Sequence, residues 1–136
     1  MSTAKVTYLG NLRTECEHLK SGDTFITDAP VDNNGKGEAF SPTDTVATGL
    51  ASCMITMMGI KAETLDISLE GTIAKITKTM AANPRRISRI DVEFNMPPNL
   101  SEKFQNILEN TARTCQELYS LNPDIEKVIV CNWGSG

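Results

Sequence analysis

Over residues 5–27, hydrophobic and polar positions alternate with the two-residue period of strands. Residues 5–9 and 13–19 alternate across Gly10-Asn11, read as a two-residue hairpin turn, and Lys20-Ser21-Gly22-Asp23 turns the chain again before residues 24–27. The expectation is a small antiparallel meander. Residues 29–40 (APVDNNGKGEAF) are polar, carry two glycines and have no period, so they read as a loop that delivers the chain to a helix and can serve as a lid beside it.

At residue 41 the period changes to that of a helix. In SPTDTVATGLASCMITMM, Ser41 suits the N-cap, Pro42 the first helical position and Asp44 the third residue of a capping box. The helix is predicted to run to about Thr64. Val46, Leu50, Cys53, Met57 and Ile60 fall at helical spacing on one apolar stripe, which predicts that Cys53 faces inward. Residues 67–80 return to a two-residue period rich in β-branched side chains and predict a long strand. Asn83-Pro84-Arg85 turns the chain into a second strand over residues 87–96, with Ile90, Val92, Phe94 and Met96 on one face, and Pro97-Pro98 stops it.

Asn99 or Ser101 caps a second predicted helix in which Phe104, Leu108, Cys115 and Leu118 share a stripe, with Ile107 and Ala112 beside them. Asn122-Pro123 ends that helix, residues 125–133 form a last strand, and Gly134-Ser135-Gly136 is expected to fray. The order βββ-α-ββ-α-β, with strands in runs rather than in strict alternation with helices, predicts an α+β fold.

Composition narrows the setting. A chain of 136 residues that is 40% hydrophobic and 22% charged fits one domain, residues 1–136, able to bury its own core. A net charge of −4 and a pI near 5.0 give no reason to expect nucleic acid, and Lys75, Lys78, Arg85, Arg86 and Arg89 alternate with polar residues rather than aromatics. No apolar run is read as approaching the ~20 residues of a membrane span, and the start MSTAKVTYLG lacks a signal-peptide layout, so the expected location is the cytoplasm. Cys16, Cys53, Cys115 and Cys131 are widely spaced, with no CxxC pair and a single histidine, His18, so neither a disulfide framework nor a metal site is expected.

The remaining chemistry lies in two thiols. A cysteine on an apolar helix face is most often a small buried hydrophobe, which is one reading of Cys53 and Cys115. The other is a two-thiol redox site, since helices packed at about 8–10 Å can bring Cβ atoms within bridging reach. Cys53 lies about three turns into its helix, too far for the helix dipole to make a thiolate, so Arg13, Arg113 and Lys61 are the candidate activating cations. Cys16, Cys131 and His18 are read as packing or polar surface residues, Tyr119 and Trp133 as core or interface aromatics. Gly35-Lys36-Gly37 lacks the strand-to-helix setting and the ending of a phosphate loop and is set aside.

SPTDTVATGLASC, a three-strand start before it and TCQELYSLNPDIE after it together make the chain resemble the OsmC/Ohr family of osmotically inducible and organic hydroperoxide resistance proteins. The resemblance covers nearly the whole chain. It implies an α+β, OsmC-like fold with two central helices and antiparallel sheets, assembled as an intertwined homodimer. It further implies a Cys53 thiolate that attacks a hydroperoxide and a Cys115 that closes a Cys53–Cys115 disulfide, later opened by a small thiol or dithiol, with no cofactor. Family hydroperoxide reductases also use an arginine from the N-terminal strands, for which Arg13 is the counterpart, and a glutamate directly after the proline. Here Thr43 follows Pro42, and Asp44 lies one position on, turned ~100° around the helix. Loss of that carboxylate predicts a poorly oriented arginine and slow turnover. The alternative function is a binding or redox-sensing module with the same fold and thiols but without efficient turnover.

Overall fold

The structure, a computed structural model, describes residues 1–134; of the tail expected to fray, Ser135 and Gly136 lie outside the described residues. The chain forms two compact units, Met1–Val46 and the remainder from Ala47 on.

The first unit is the predicted meander. Strands β1 (Ala4–Gly10), β2 (Arg13–His18) and β3 (Thr24–Asp28) pair antiparallel in that order. Gly10 still pairs with Arg13, so the tight turn is Asn11-Leu12 rather than Gly10-Asn11. Both turn residues have positive φ, 55° and 62°, the left-handed pair whose twist matches a two-residue hairpin. The register sets Val6, Cys16 and Phe25 side by side on one face. Alternation puts Arg13, Glu15, Glu17 and Asp28 on the other.

The loop after β3 is ordered by its own backbone. It contains a short 3-10 turn, Val31–Asn33, and folds back so that the Gly37 N–H donates to the Ala29 carbonyl at 3.1 Å and the Gly35 N–H to that of Pro30 at 2.9 Å. A Cβ on Gly35 would stand 1.8 Å from the Ala29 oxygen, so the fold-back requires glycine there. Phe40 then bridges to Thr27, and the chain enters helix α1 (Pro42–Thr64). The capping box forms as predicted: the Asp44 N–H donates to Ser41 Oγ at 3.1 Å and the Ser41 N–H to Asp44 Oδ2 at 2.9 Å.

In the second unit α1 continues and is followed by β4 (Ile73–Ala81), β5 (Arg86–Met96), α2 (Glu102–Arg113), α3 (Gln116–Ser120) and β6 (Glu126–Trp133). The long strand expected from residue 67 starts only at Ile73, because residues 65–72 are spent turning off the helix, with Leu69 buried and its carbonyl accepting from the Thr72 N–H. β5 is central, antiparallel to β4 and parallel to β6. That corrects the expectation of wholly antiparallel sheets: the helical crossover of α2 and α3 returns the chain to the end from which β5 started. Ile90, Val92, Phe94 and Met96 are buried on one face of β5, as their alternation predicts. They pack with Leu50, Met54 and Met58 of α1 and Leu108 of α2, each such burial contributing about 1.5–3 kcal/mol.

Two helical expectations change. The buried face of α1 is Ala47, Leu50, Ala51, Met54, Met58 and Ala62, while Val46 and Ile60 are 41% and 54% exposed. The inward stripe is rotated from the predicted one, which puts Cys53 on its flank, half-buried. The second helix does not run through Cys115. Its cap Ser101 accepts from the Phe104 N–H at 3.2 Å, and it ends at Arg113 with Thr114 as C-cap; Cys115 becomes the N-cap residue of α3. There the N–H groups of Thr114 and Cys115 reach back only three residues, to Thr111 and Ala112, the tightening typical of a helix end.

α1 is also long and apolar enough, by length and composition, to cross a membrane, contrary to the expectation that no run approaches a span. Its apolarity serves packing, since six of its residues lie in the core of the second unit.

Candidate active site

The second unit brings two of the predicted site residues together. Cys53, on the flank of α1, packs against the core cluster to which the fully buried Cys115 belongs. Burial pushes the Cys115 thiol up from its ordinary range, and the neighbouring Cys53 raises it further. The amides of Leu118 and Glu117 pull the other way, but neither closes a capping hydrogen bond onto the sulfur. Cys115 is thereby held as a proton-carrying thiol. The helix break produces this: Cys115 sits where the chain changes direction, with its side chain in the core rather than along a continuous helical stripe. All four cysteines are unbridged.

Cys131 is the other perturbed thiol. Burial, reinforced by the negative charge of Glu109 and opposed by Arg113, raises it to about 11. Glu109 is held by the Trp133 indole N–H at 2.7 Å, and the Arg113 guanidinium donates to the Ile129 carbonyl at 3.2 Å. Arg113, a candidate cation for Cys53, is thus engaged at β6 beside Cys131. Lys61 is exposed in the last turn of α1, eight positions and ~12 Å along the axis beyond Cys53. His18 shares a hydrogen bond with Ser21 at 2.6 Å in an exposed turn. Cys16 lies with Val6 and Phe25 along an apolar cleft on the meander.

Arg13 belongs to the first unit, where a carboxylate holds it at two points. Its Nε–H donates to Asp28 Oδ1 at 2.7 Å and its Nη2–H to Oδ2 at 2.9 Å, while Glu38 Oε1 lies 3.8 Å from Nη2. The Arg13 guanidinium holds the Asp28 carboxyl below the usual carboxylate range, helped by the Glu38 amide, which donates to Oδ2 at 3.1 Å, and by the charge of Lys36. Arg13 thus has a carboxylate partner within its own sheet, other than one directly after Pro42. Thr43, in that position, has its hydroxyl 3.3 Å from that of Ser41. Asp28 was overlooked because it falls one residue past the predicted end of its strand; counting the register back from the turn at residues 20–23 places it opposite Arg13.

Among the described residues, no group of three or more His, Cys, Asp and Glu side chains could hold a metal ion.

The profile of the OsmC-like protein family matches residues 35–127. A solved protein from Psychrobacter arcticus 273-4, provisionally described as an osmotic stress induced and detoxification response protein, is 52% identical, with a TM-score of 0.94 over 97% of this chain and 96% of that one. An organic hydroperoxide resistance protein OsmC from Legionella pneumophila shares the fold at 19% identity and a TM-score of 0.72, covering 97% and 96% of the two chains. One from Elizabethkingia anophelis does so at 14% identity and a TM-score of 0.75, covering 98% of each. Among curated proteins, none matches.

Proposed function

The chain belongs to the OsmC-like protein family, and from that premise we propose that it is a thiol-dependent peroxidase acting on organic hydroperoxides or hydrogen peroxide in oxidative-stress defence. The Cys53 thiolate attacks the O–O bond. An S–O bond forms as O–O breaks, the departing oxygen takes a proton and leaves as alcohol or water, and Cys53 becomes a sulfenic acid. The Cys115 sulfur then attacks the Cys53 sulfur; the S–O bond breaks, the Cys115 proton leaves with the hydroxyl as water, and the disulfide closes. Two equivalents of a small thiol, or one of a dithiol, restore both cysteines and are themselves oxidised to a disulfide. Arg13 supplies the positive charge that favours the Cys53 thiolate. The protein works as a homodimer in the cytoplasm, where a reducing pool keeps both thiols available.

The observation that carries this reading is the meeting of the Cys53 and Cys115 thiols in the core of one unit. The names of the Legionella and Elizabethkingia proteins support the substrate class. The test is consumption of cumene hydroperoxide and hydrogen peroxide, in parallel, by wild type and Cys53→Ser with a dithiol present. Loss of turnover in Cys53→Ser supports the peroxidase. Equal consumption by the two proteins, or none by wild type, leaves a binding or redox-sensing module in its place.

A further inference from the structure

We propose that Asp28 is the positioning residue for Arg13, fixing from strand β3 the guanidinium direction that a carboxylate after Pro42 would otherwise set. The inference rests on the reading that Arg13 serves Cys53, and concerns how that arginine is aimed.

The geometry within the first unit carries it. Arg13 and Asp28 stand opposite each other in the β2–β3 register, so the pairing is built into the sheet rather than made by two searching side chains. Two N–H groups of the guanidinium meet the two oxygens of one carboxylate at 2.7 and 2.9 Å, the bidentate arrangement that fixes the plane of an arginine as well as its place. Asp28 is 1% exposed and is itself anchored by the Glu38 amide at 3.1 Å, whereas the Glu38 carboxylate is exposed and makes only the longer contact of 3.8 Å. Arg13 remains one-third exposed, held at one edge and open at the other. Burying a carboxylate at a sheet end is a poor way to gain stability, because its desolvation offsets most of the attraction, but an effective way to fix direction. The loop fold-back that needs glycine at position 35 brings the Glu38 amide round to this carboxylate, so the polar loop ahead of α1 completes the clamp.

The experiment is the rate of iodoacetamide alkylation at Cys53, followed by peptide mass mapping from pH 5 to 10, in wild type, Arg13→Ala, Asp28→Asn and the double variant. Alkylation needs no peroxide and so is independent of turnover. Arg13→Ala is expected to slow Cys53 about tenfold at neutral pH. Asp28→Asn should slow it in the wild-type background and have no further effect once Arg13 is gone. Equal slowing in both backgrounds would mean a merely structural role and overturn the proposal, as would an unchanged rate in Asp28→Asn beside a slowed Arg13→Ala, which leaves the Arg13 reading intact. An unchanged Arg13→Ala removes that reading and the proposal with it. Should Asp28→Asn fail to fold, Arg13→Lys keeps the charge but loses the fork: a slowed Cys53 supports the proposal and a wild-type rate overturns it.

Discussion

Cys115, at the break between α2 and α3, shares a core with Cys53 that raises the Cys115 thiol and keeps its proton on. A pair so arranged has one member ready to be linked to the other once the first is oxidised. Mild peroxide is therefore expected to give a Cys53–Cys115 disulfide, and Cys115→Ser to trap Cys53 as a sulfenic acid or mixed disulfide. Peptide mapping decides: Cys16 or Cys131 in the main oxidised species, with Cys53 untouched, contradicts the pairing.

Because Asp28 already holds Arg13 at two points, a carboxylate at position 43 has little left to do. Thr43→Glu should change turnover on cumene hydroperoxide by less than about twofold, where misplacing an activating group by ~1 Å would cost on the order of a hundredfold. A gain of tenfold or more would show that Arg13 is poorly aimed without it.

Cys131 gives an alkaline signature. Its folded thiol titrates at about 11, above the ~8.5 of an unfolded cysteine, so its contribution to stability is fully present below the unfolded value and is lost as pH rises through the folded one. The stability gap between wild type and Cys131→Ala, read from urea midpoints, should be constant up to about pH 8 and shift against wild type between about pH 9 and 11. A gap that does not move with pH would mean that Cys131 titrates like an exposed thiol.

The loop glycine is open to a direct stability test. With a Cβ only 1.8 Å from a backbone oxygen, Gly35→Ala must open the fold-back and should lower stability by roughly 1–3 kcal/mol in urea unfolding. A midpoint equal to wild type would show that the loop can rearrange without cost.

One face of the meander leaves Val6, Tyr8 and Phe25 exposed together, more apolar surface than three strands of a lone chain would be expected to show to water. A homodimer is expected at micromolar concentration. Sedimentation as a stable monomer would count against it.

What could be read from the sequence was what neighbouring residues decide. Ser41 and Asp44 signal their capping box within four positions, and the alternation of Ile90, Val92, Phe94 and Met96 fixes which face of β5 is buried. The rotation of α1 was not legible because close helix packing selects small side chains: Ala47, Ala51 and Ala62 take the buried face while the larger Val46 and Ile60 lie outside it. The break at Thr114 carries no proline or glycine and follows from tertiary packing, so the periodicity ran on through Cys115. Parallel pairing of β5 with β6 depends on where the crossover returns, which no local pattern encodes. Arg13 could be named as a candidate cation, but its partner across the sheet appears only when the register is counted.

Between Cys53 and Cys115 the chain contains most of the second unit's fold: the end of α1, the β4–β5 hairpin and all of α2. Joining the two sulfurs would close a loop of about 60 residues, which by chain entropy restricts the unfolded state by about 4 kcal/mol. The oxidised protein is then the harder one to unfold, and a reductant that reopens the bond must also return that chain freedom, so exposure to peroxide would be recorded as heat resistance until the thiols are restored.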